Sequence, residues 1–315
     1  GDLDHGASTG VTINQLYWGL YAQDAWRTTE RVTVNAGVRW EPFFGQNIIN
    51  GAVPNFSLGQ FKAGVKSTVF TNAPAGFTYA GDPSFNGKSG FPAQWWNLSP
   101  RLGVAWDVSG NGRTAVRSSY ELGYSMPTGG IWFIMASAPP YGNRTRVSDP
   151  TGLFDNPYRD LGGDPHPIAV GPNTPYPPFG QMGAISPDIG SPRLQSWNVT
   201  VEQQIGTNWG VSASYLGSYS DRLWNTRPLN PGVFLGLGPC AINGVSYPVC
   251  STNANINARR ALSLEKPAEG QFISNLDEFT DAATQNYRAL KLTFRRRAAA
   301  GVSLNGNYTL GRCFG

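Results

Sequence analysis

The residues able to do chemistry are few and scattered. Two histidines occur, His5 and His166, and neither has a cysteine or carboxylate at metal-ligand spacing. No G-x-S-x-G, P-loop or G-x-G-x-x-G pattern is present, and no pair of carboxylates stands out for acid–base work. No catalytic, cofactor-binding or metal-binding residue is assigned, so neither an enzyme nor a cofactor is expected. The chemistry the sequence does mark is that of cysteine. Cys240 and Cys250 bracket AINGVSYPV, and exposed thiols in a non-reducing space rarely stay free, which favours a disulfide and an oxidising compartment. The competing reading is a pair of unrelated loop thiols. Cys313 stands alone and is expected to be free, or paired with a residue beyond this chain.

The elements that must position these groups are strands. Gly (39) and Pro (24) make up a fifth of the chain, aromatics reach 12% and charged residues only 14%, a composition poor in helix formers. The longest apolar run, residues 131–136, is far too short for a membrane-crossing helix. A mean hydropathy of −0.29 still leaves a membrane open, because a barrel wall places its apolar residues at alternate positions. The net charge of +4 is spread along the chain without a basic stripe, so no nucleic-acid partner is expected. The opening GDLDHGASTG has neither an initiator Met nor a signal peptide, as expected of a chain that starts inside a longer protein.

Period-two alternation predicts eight strands, at roughly 16–26, 32–41, 99–108, 113–124, 194–205, 209–217, 287–296 and 302–310. Their lengths suit a tilted membrane-spanning strand of about 9–11 residues better than the usual 5–6 of a soluble protein. The breaks after the first, third, fifth and seventh strands are tiny: RTTER, SGNG, GTN and RAAAG. Those after the second, fourth and sixth are very long, spanning 42–98, 125–193 and 218–286. Short turns on one side and long loops on the other predict an all-β, antiparallel transmembrane β-barrel segment with periplasmic turns and extracellular loops, in contact with outer-membrane lipid.

The alternation divides each strand into two faces. Val32, Val34, Ala36, Val38 and Trp40 oppose Arg39 and Glu41; Leu102, Val104 and Trp106 oppose Arg101 and Asp107. The polar set expected to face the lumen is Arg39, Glu41, Arg101, Asp107, Arg117, Glu121, Glu202, Lys291 and Arg295. On the other face, Trp26, Trp106 and Trp209 lie beside the short turns, and Trp40, Tyr124, Trp197 and Tyr215 lie towards the long loops. Two levels of Trp and Tyr around an aliphatic band are the girdles that two lipid–water interfaces favour. On this scheme Trp18 and Trp26 end one membrane-crossing strand, and Asp24 falls on the outward face just below the hydrocarbon. If Val108 pairs with Thr114 across SGNGR, Arg101 falls directly opposite Glu121. The long loops carry most of the proline, in APPYG, DPHP and NTPYPPFG, and are expected to be extended surface chain stiffened by composition rather than by a core. NARRALSLEKPAEG has room for one or two helical turns before Pro267. Arg259 and Arg260 are expected to be solvated or internally paired, the alternative being contact with an anionic ligand.

GLYAQDAWRTTERVTVNAGVRWE resembles a hairpin of TonB-dependent outer-membrane receptors. LSPRLGVAWDVSGNGRTAVRSSYELGY is similar to the next hairpin of their Oar-like group. LQSWNVTVEQQIGTNWGVSASYLGSYSDRLW and NYRALKLTFRRRAAAGVSLNGNYTLGR continue in that order, so the resemblance covers most strands and little of the loops. It implies a twenty-two-stranded barrel with a plug, in the bacterial outer membrane, taking up a scarce bulky solute of unknown identity through a TonB complex that pulls the plug. The chain shows no plug, no TonB box and no N-terminal domain, and ends in RCFG, so it is expected to be an internal slice of the barrel. No ligand residue carries over. Two alternatives remain: a self-contained eight-stranded barrel with a structural or adhesive role, and a secreted glycan-binding β-sandwich.

Overall fold

The computed structural model describes residues 2–8, 10–126, 130–148, 155–159, 162–163, 170–299 and 301–315; His166 lies outside them. In chain order the first elements are β1 (Asp2–Ser8), β2 (Ile13–Asn14), β3 (Leu20–Arg27), β4 (Val32–Trp40), β5 (Asn47–Ile48) and β6 (Asn55–Phe56). Next come α1 (Leu58–Ala63), β7 (Phe77–Thr78), β8 (Leu98–Asp107), β9 (Thr114–Tyr124), α2 (Gly130–Ala136), β10 (Gly142–Ser148) and β11 (Gly180–Ile185). They are followed by β12 (Arg193–Ile205), β13 (Trp209–Pro228), β14 (Cys240–Ile242) and β15 (Val245–Tyr247). The last are α3 (Ala261–Glu265), α4 (Pro267–Gly270), β16 (Ile273–Ala299) and β17 (Val302–Phe314).

Eight strands, β3-β4-β8-β9-β12-β13-β16-β17, pair antiparallel in chain order and curl into a half-barrel. They correspond one to one to the eight expected from periodicity. Val108 N–H donates to the Thr114 carbonyl at 2.9 Å, which puts Arg101 opposite Glu121 as counted from the sequence. The short turn between β8 and β9 is closed by Asp107, whose two carboxylate oxygens accept the N–H groups of Gly110 (2.9 Å) and Gly112 (2.8 Å). Both glycines have φ above +70°, a region other residues reach only at a cost. Among the described residues β3 and β17 each have a single strand neighbour. Among the described residues the sheet therefore does not close as an eight-stranded barrel, and the other sheets are two-stranded ribbons rather than the second layer of a sandwich.

Three expectations about the strands need correcting. The first strand begins at Leu20, not at residue 16: Trp18 precedes it and packs edge-on against Trp40 (4.8 Å) instead of ending the strand. Asp24 pairs with Ala36, one pair to the loop side of Trp26 and Val34, so it lies within the apolar face rather than below it. The third long loop is shorter than expected, because β13 and β16 run on as a ribbon from Trp209↔Arg296 to Pro228↔Asp277. Register shifts between Ser220 and Asn225, where Arg222 has φ 53°, bend that ribbon as bulges do.

The largest correction concerns the long loops, which share a core. Phe43, Phe56, Phe61, Phe77 and Tyr79 from the first loop bury against Trp132, Met135 and Ile185 from the second and Leu262, Ile273 and Leu276 from the third. Each full burial of such a side chain stabilises the fold by about 1.5–3 kcal/mol. No single loop shows a repeating apolar pattern, so the shared core is invisible until the sheet brings the loops together. Three loop strands then extend the sheet beyond the end of β17: β11 runs parallel to β16, Gly180↔Ile273 to Ile185↔Phe279, and β6 and β7 follow it.

Candidate functional site

One face of the sheet is a row of matched charges. Arg39 Nε lies 2.8 Å from Glu41, and Arg39 Nη2 donates to Tyr17 Oη at 2.8 Å, while Tyr17 Oη also donates to Glu41. Gly19 leaves the space for this group, since a Cβ there would sit 3.2 Å from Glu41 Cγ. Arg101 Nε is 4.0 Å from Glu121, which also accepts the Ser196 hydroxyl at 3.1 Å. Arg117 Nε donates to Glu202 at 3.2 Å, and the Asn198–Ser119 and Thr200–Ser214 hydrogen bonds lie among these pairs. Lys291 sits between Ser214 and Thr309, and Arg295 between Gly210 and Asn305. The Arg101–Glu121 and Arg117–Glu202 pairs are exposed, so each contributes little stability, about 0–1 kcal/mol. Their effect is to line a wettable wall. Asp107 has the parity of this face, but its carboxylate is used by the turn.

The opposite face is apolar and carries the aromatics at its two ends. At the turn end Trp26 pairs with Val34, Trp106 with Val32 and Val116, and Trp209 with Ile205. The Arg296 guanidinium lies over the Trp209 ring at 5.7 Å. At the loop end Trp40 Nε1 donates to the Trp95 carbonyl at 2.5 Å and Tyr124 pairs with Arg193. Trp197 lies across Gly217, where a Cβ would meet its ring at 2.3 Å, and Tyr215 sits between Val199 and Leu290. Between these levels Val199, Val201, Leu290, Leu292 and Phe294 remain exposed.

The lobe formed by the loops holds the most constrained polar groups. Asp82 is buried and accepts four hydrogen bonds, from Ser67 Oγ (2.7 Å), Thr68 N (2.7 Å), Thr68 Oγ1 (2.8 Å) and Tyr79 N (2.9 Å). Burial pushes its carboxyl upward, but the four donors outweigh burial and hold it below the usual carboxylate range. Tyr176 Oη donates to Tyr79 Oη at 3.0 Å, and Tyr141 packs beside them. Burial, reinforced by the Asp82 charge, raises all three phenols well above their ordinary value. Arg259 and Arg260 are internal ties, the expected reading. Arg259 donates to Asn255 Oδ1 and to the carbonyls of Val233 and Thr252, and Arg260 to Asn257 Oδ1 and the Asn230 carbonyl. Burial lowers Arg260. Cys240 and Cys250 are bonded, with Cα atoms 5.2 Å apart, and Cys313 is free and exposed.

The sheet thus brings the expected polar residues onto one face and the expected aromatics onto the other. Sequence reasoning missed Asp82 and the tyrosine group, whose partners lie 3 to 97 residues apart in the chain. It also passed over Arg113 and Arg297, which join Arg295 around a cleft at the turn end of the polar face. The run RRR at 295–297 was the signal for that cluster. Among the described residues no group of His, Cys, Asp or Glu is placed to hold a metal ion.

The sequence pattern of the family described as "Outer membrane beta barrel domain" matches residues 5–315. No curated protein matches. Among solved structures the chain is similar to the outer membrane transporter YddB from Escherichia coli, at 12% identity and a TM-score of 0.45, over 94% of this chain and 24% of that one. It is similar to the FrpB iron transporter from Neisseria meningitidis, at 10% identity and a TM-score of 0.41, over 94% of this chain and 25% of that one. The siderophore receptor PirA from Pseudomonas aeruginosa matches at 11% identity and a TM-score of 0.38, over 93% of this chain and 34% of that one. The chain spans about a quarter to a third of the length of these structures.

Proposed function

Because the chain belongs to the outer membrane β-barrel domain family, we propose that it forms part of the wall of a TonB-dependent receptor of the Oar-like group, which takes up a scarce bulky solute. The observation that carries this reading is the open sheet: eight ordered strands, one face polar and one apolar, and an unpaired edge at both β3 and β17. Such edges are liabilities unless further strands pair with them. A larger barrel supplies those strands and a wide lumen. The polar face, from Arg39 and Glu41 to Lys291 and Arg295, then lines that lumen, and the face bearing Trp26, Trp40, Trp106, Tyr124, Trp197, Trp209 and Tyr215 meets lipid. The motif resemblance supports TonB coupling, with a plug supplied by a part of the protein outside these 315 residues. A small closed barrel would need β3 to pair with β17, and a secreted sandwich would need two sheets.

The test is uptake by cells expressing the full-length protein, with a solute found by screening growth under limitation. Uptake that stops when TonB is deleted or the proton gradient is collapsed is the expected result. Uptake that is unchanged under both conditions would reject TonB coupling.

A further inference from the structure

At the turn end of the polar face the balance of charge breaks. Towards the loops, Glu41 and Glu121 are each matched to an arginine. The cleft of about 400 Å³ beside the β12–β13 turn is lined by Arg113, Arg295 and Arg297. The carboxylate lining it, Glu202, is already held by Arg117 at 3.2 Å. Among the described residues none of these three arginines has an ion-pair partner. Their backbones are fixed: Gln204 N–H donates to the Arg113 carbonyl at 2.7 Å, and Arg297 N–H to the Asn208 carbonyl at 2.8 Å. Opposite Arg295, Gly210 leaves open space, with no atom within 4 Å of where a Cβ would stand. Gln204 and Thr207 add neutral hydrogen-bonding groups to the rim. Three like charges lining one cleft favour an anion between them, the more so at low salt. Guanidinium forks match the oxygens of phosphates and carboxylates in paired hydrogen bonds.

We propose that Arg113, Arg295 and Arg297 form an anion-binding cleft on the inner wall, which takes a phosphate- or carboxylate-bearing group of the translocated solute. This rests on the transporter reading above and adds to it the chemical class of the solute. By that reading the cleft lies at the exit of the barrel, where a cationic patch draws an anionic solute away from the wall above it, on which Arg39 and Arg101 are paired with carboxylates.

The probe is inorganic pyrophosphate, titrated calorimetrically into the full-length protein in detergent at low salt. Binding by the wild type is expected, weakened at least about tenfold in the Arg113→Gln/Arg295→Gln double variant by loss of two charge-assisted contacts. The Arg113→Lys/Arg295→Lys variant should bind more weakly than the wild type but more tightly than the Gln variant, since the charge remains and the paired hydrogen bonds do not, which separates loss of the site from misfolding. Lys88→Gln, in an exposed stretch of the first loop, should bind as the wild type does. Equal binding by the wild type and the Gln variant would overturn the proposal. So would absence of wild-type binding together with a lower melting temperature of the Gln variant, which would assign the arginines to carboxylates of the protein itself. In cells, TonB-dependent uptake that the Gln variant performs at the wild-type rate would also overturn it. Uptake independent of TonB, with pyrophosphate binding intact, would instead remove the transporter reading and leave the cleft.

Discussion

The barrel wall and the loop lobe are built from the same residue types and treat them in opposite ways. In the lobe Phe56, Phe61 and Phe77 are at most 1% exposed; on the wall Phe294 is 41% exposed and Leu292 46%. A core stabilises by removing apolar area from water, so the lobe can be assembled in water. The wall has no such core: among the described residues of the eight paired strands, leaving aside the lobe end of β16 with Ile273, Leu276 and Phe279, only the small Ala289 is a buried apolar residue. Its exposed aliphatic band, bounded by tryptophans, makes sense when lipid is the solvent on one face and water on the other. Two solvents thus select two arrangements within one chain, and substitutions that confuse them should separate the two regions.

The largest effect is expected in the lobe. Phe77→Ala removes a fully buried ring packed on Phe56 at 4.9 Å and should cost about 3–5 kcal/mol. Limited proteolysis of the full-length protein in outer membranes should then cut the loops while the barrel stays folded. Loss of the barrel as well would show that wall and lobe are one cooperative unit. On the wall, Val104→Arg puts a charge on the apolar face between Val34 and Ser118. About 2–4 kcal/mol is expected at the bilayer midplane, read as reduced heat-modifiable protein in the outer membrane. Normal assembly of Val104→Arg would reassign that face.

Asp82→Asn sharpens the comparison, because it alters a buried charge without opening a cavity. It should cost the lobe about 1–3 kcal/mol. The folded carboxyl lies below its ordinary value, so its contribution is complete above the unfolded pKa of about 4 and is lost as pH falls through the depressed folded value. Protease resistance of the loops measured against pH should therefore fall in acid for the wild type and show a smaller acid dependence in Asp82→Asn; equal acid dependence would assign the loss to other carboxylates. The smallest effect is predicted for Arg101→Ala. Its partner Glu121 is exposed and 4.0 Å away, so about 0.2–1 kcal/mol at most is lost. Assembly yield should not change, and a clear loss would mean that the ion pair, rather than the apolar band, sets the register.

How far the sequence could be read follows the same division. The wall was legible because each strand repeats its solvent at every second residue: Val32, Val34, Ala36, Val38 and Trp40 already state a face. The register followed from parity, as Ile205↔Trp209 and Arg101↔Glu121 show. The lobe was not legible, because Phe43, Trp132 and Leu262 have no periodic neighbours and meet only after the sheet is formed. Proline content suggested extended chain there, and burial overrode it. The β13–β16 ribbon was cut short for a related reason: past Gly217 the alternation fails at the bulge around Arg222, although the pairing continues to Pro228. Of the polar face the charged residues were anticipated, and of their pairs Arg101 with Glu121, but the cationic cleft combines Arg113, at the end of the β8–β9 turn, with Arg297 of β16, which are far apart in the chain.

The central claim is that one sheet crosses the outer membrane with the lobe outside and the short turns inside, and cysteine labelling in intact cells tests it most directly. In a Cys313→Ser background of the full-length protein, Gly171→Cys and Thr207→Cys are each introduced: Gly171 has open space around it and Thr207 is exposed in the β12–β13 turn. An impermeant maleimide should label Gly171→Cys on intact cells, and Thr207→Cys only after the outer membrane is permeabilised. Labelling of Thr207→Cys but not Gly171→Cys on intact cells would contradict the account.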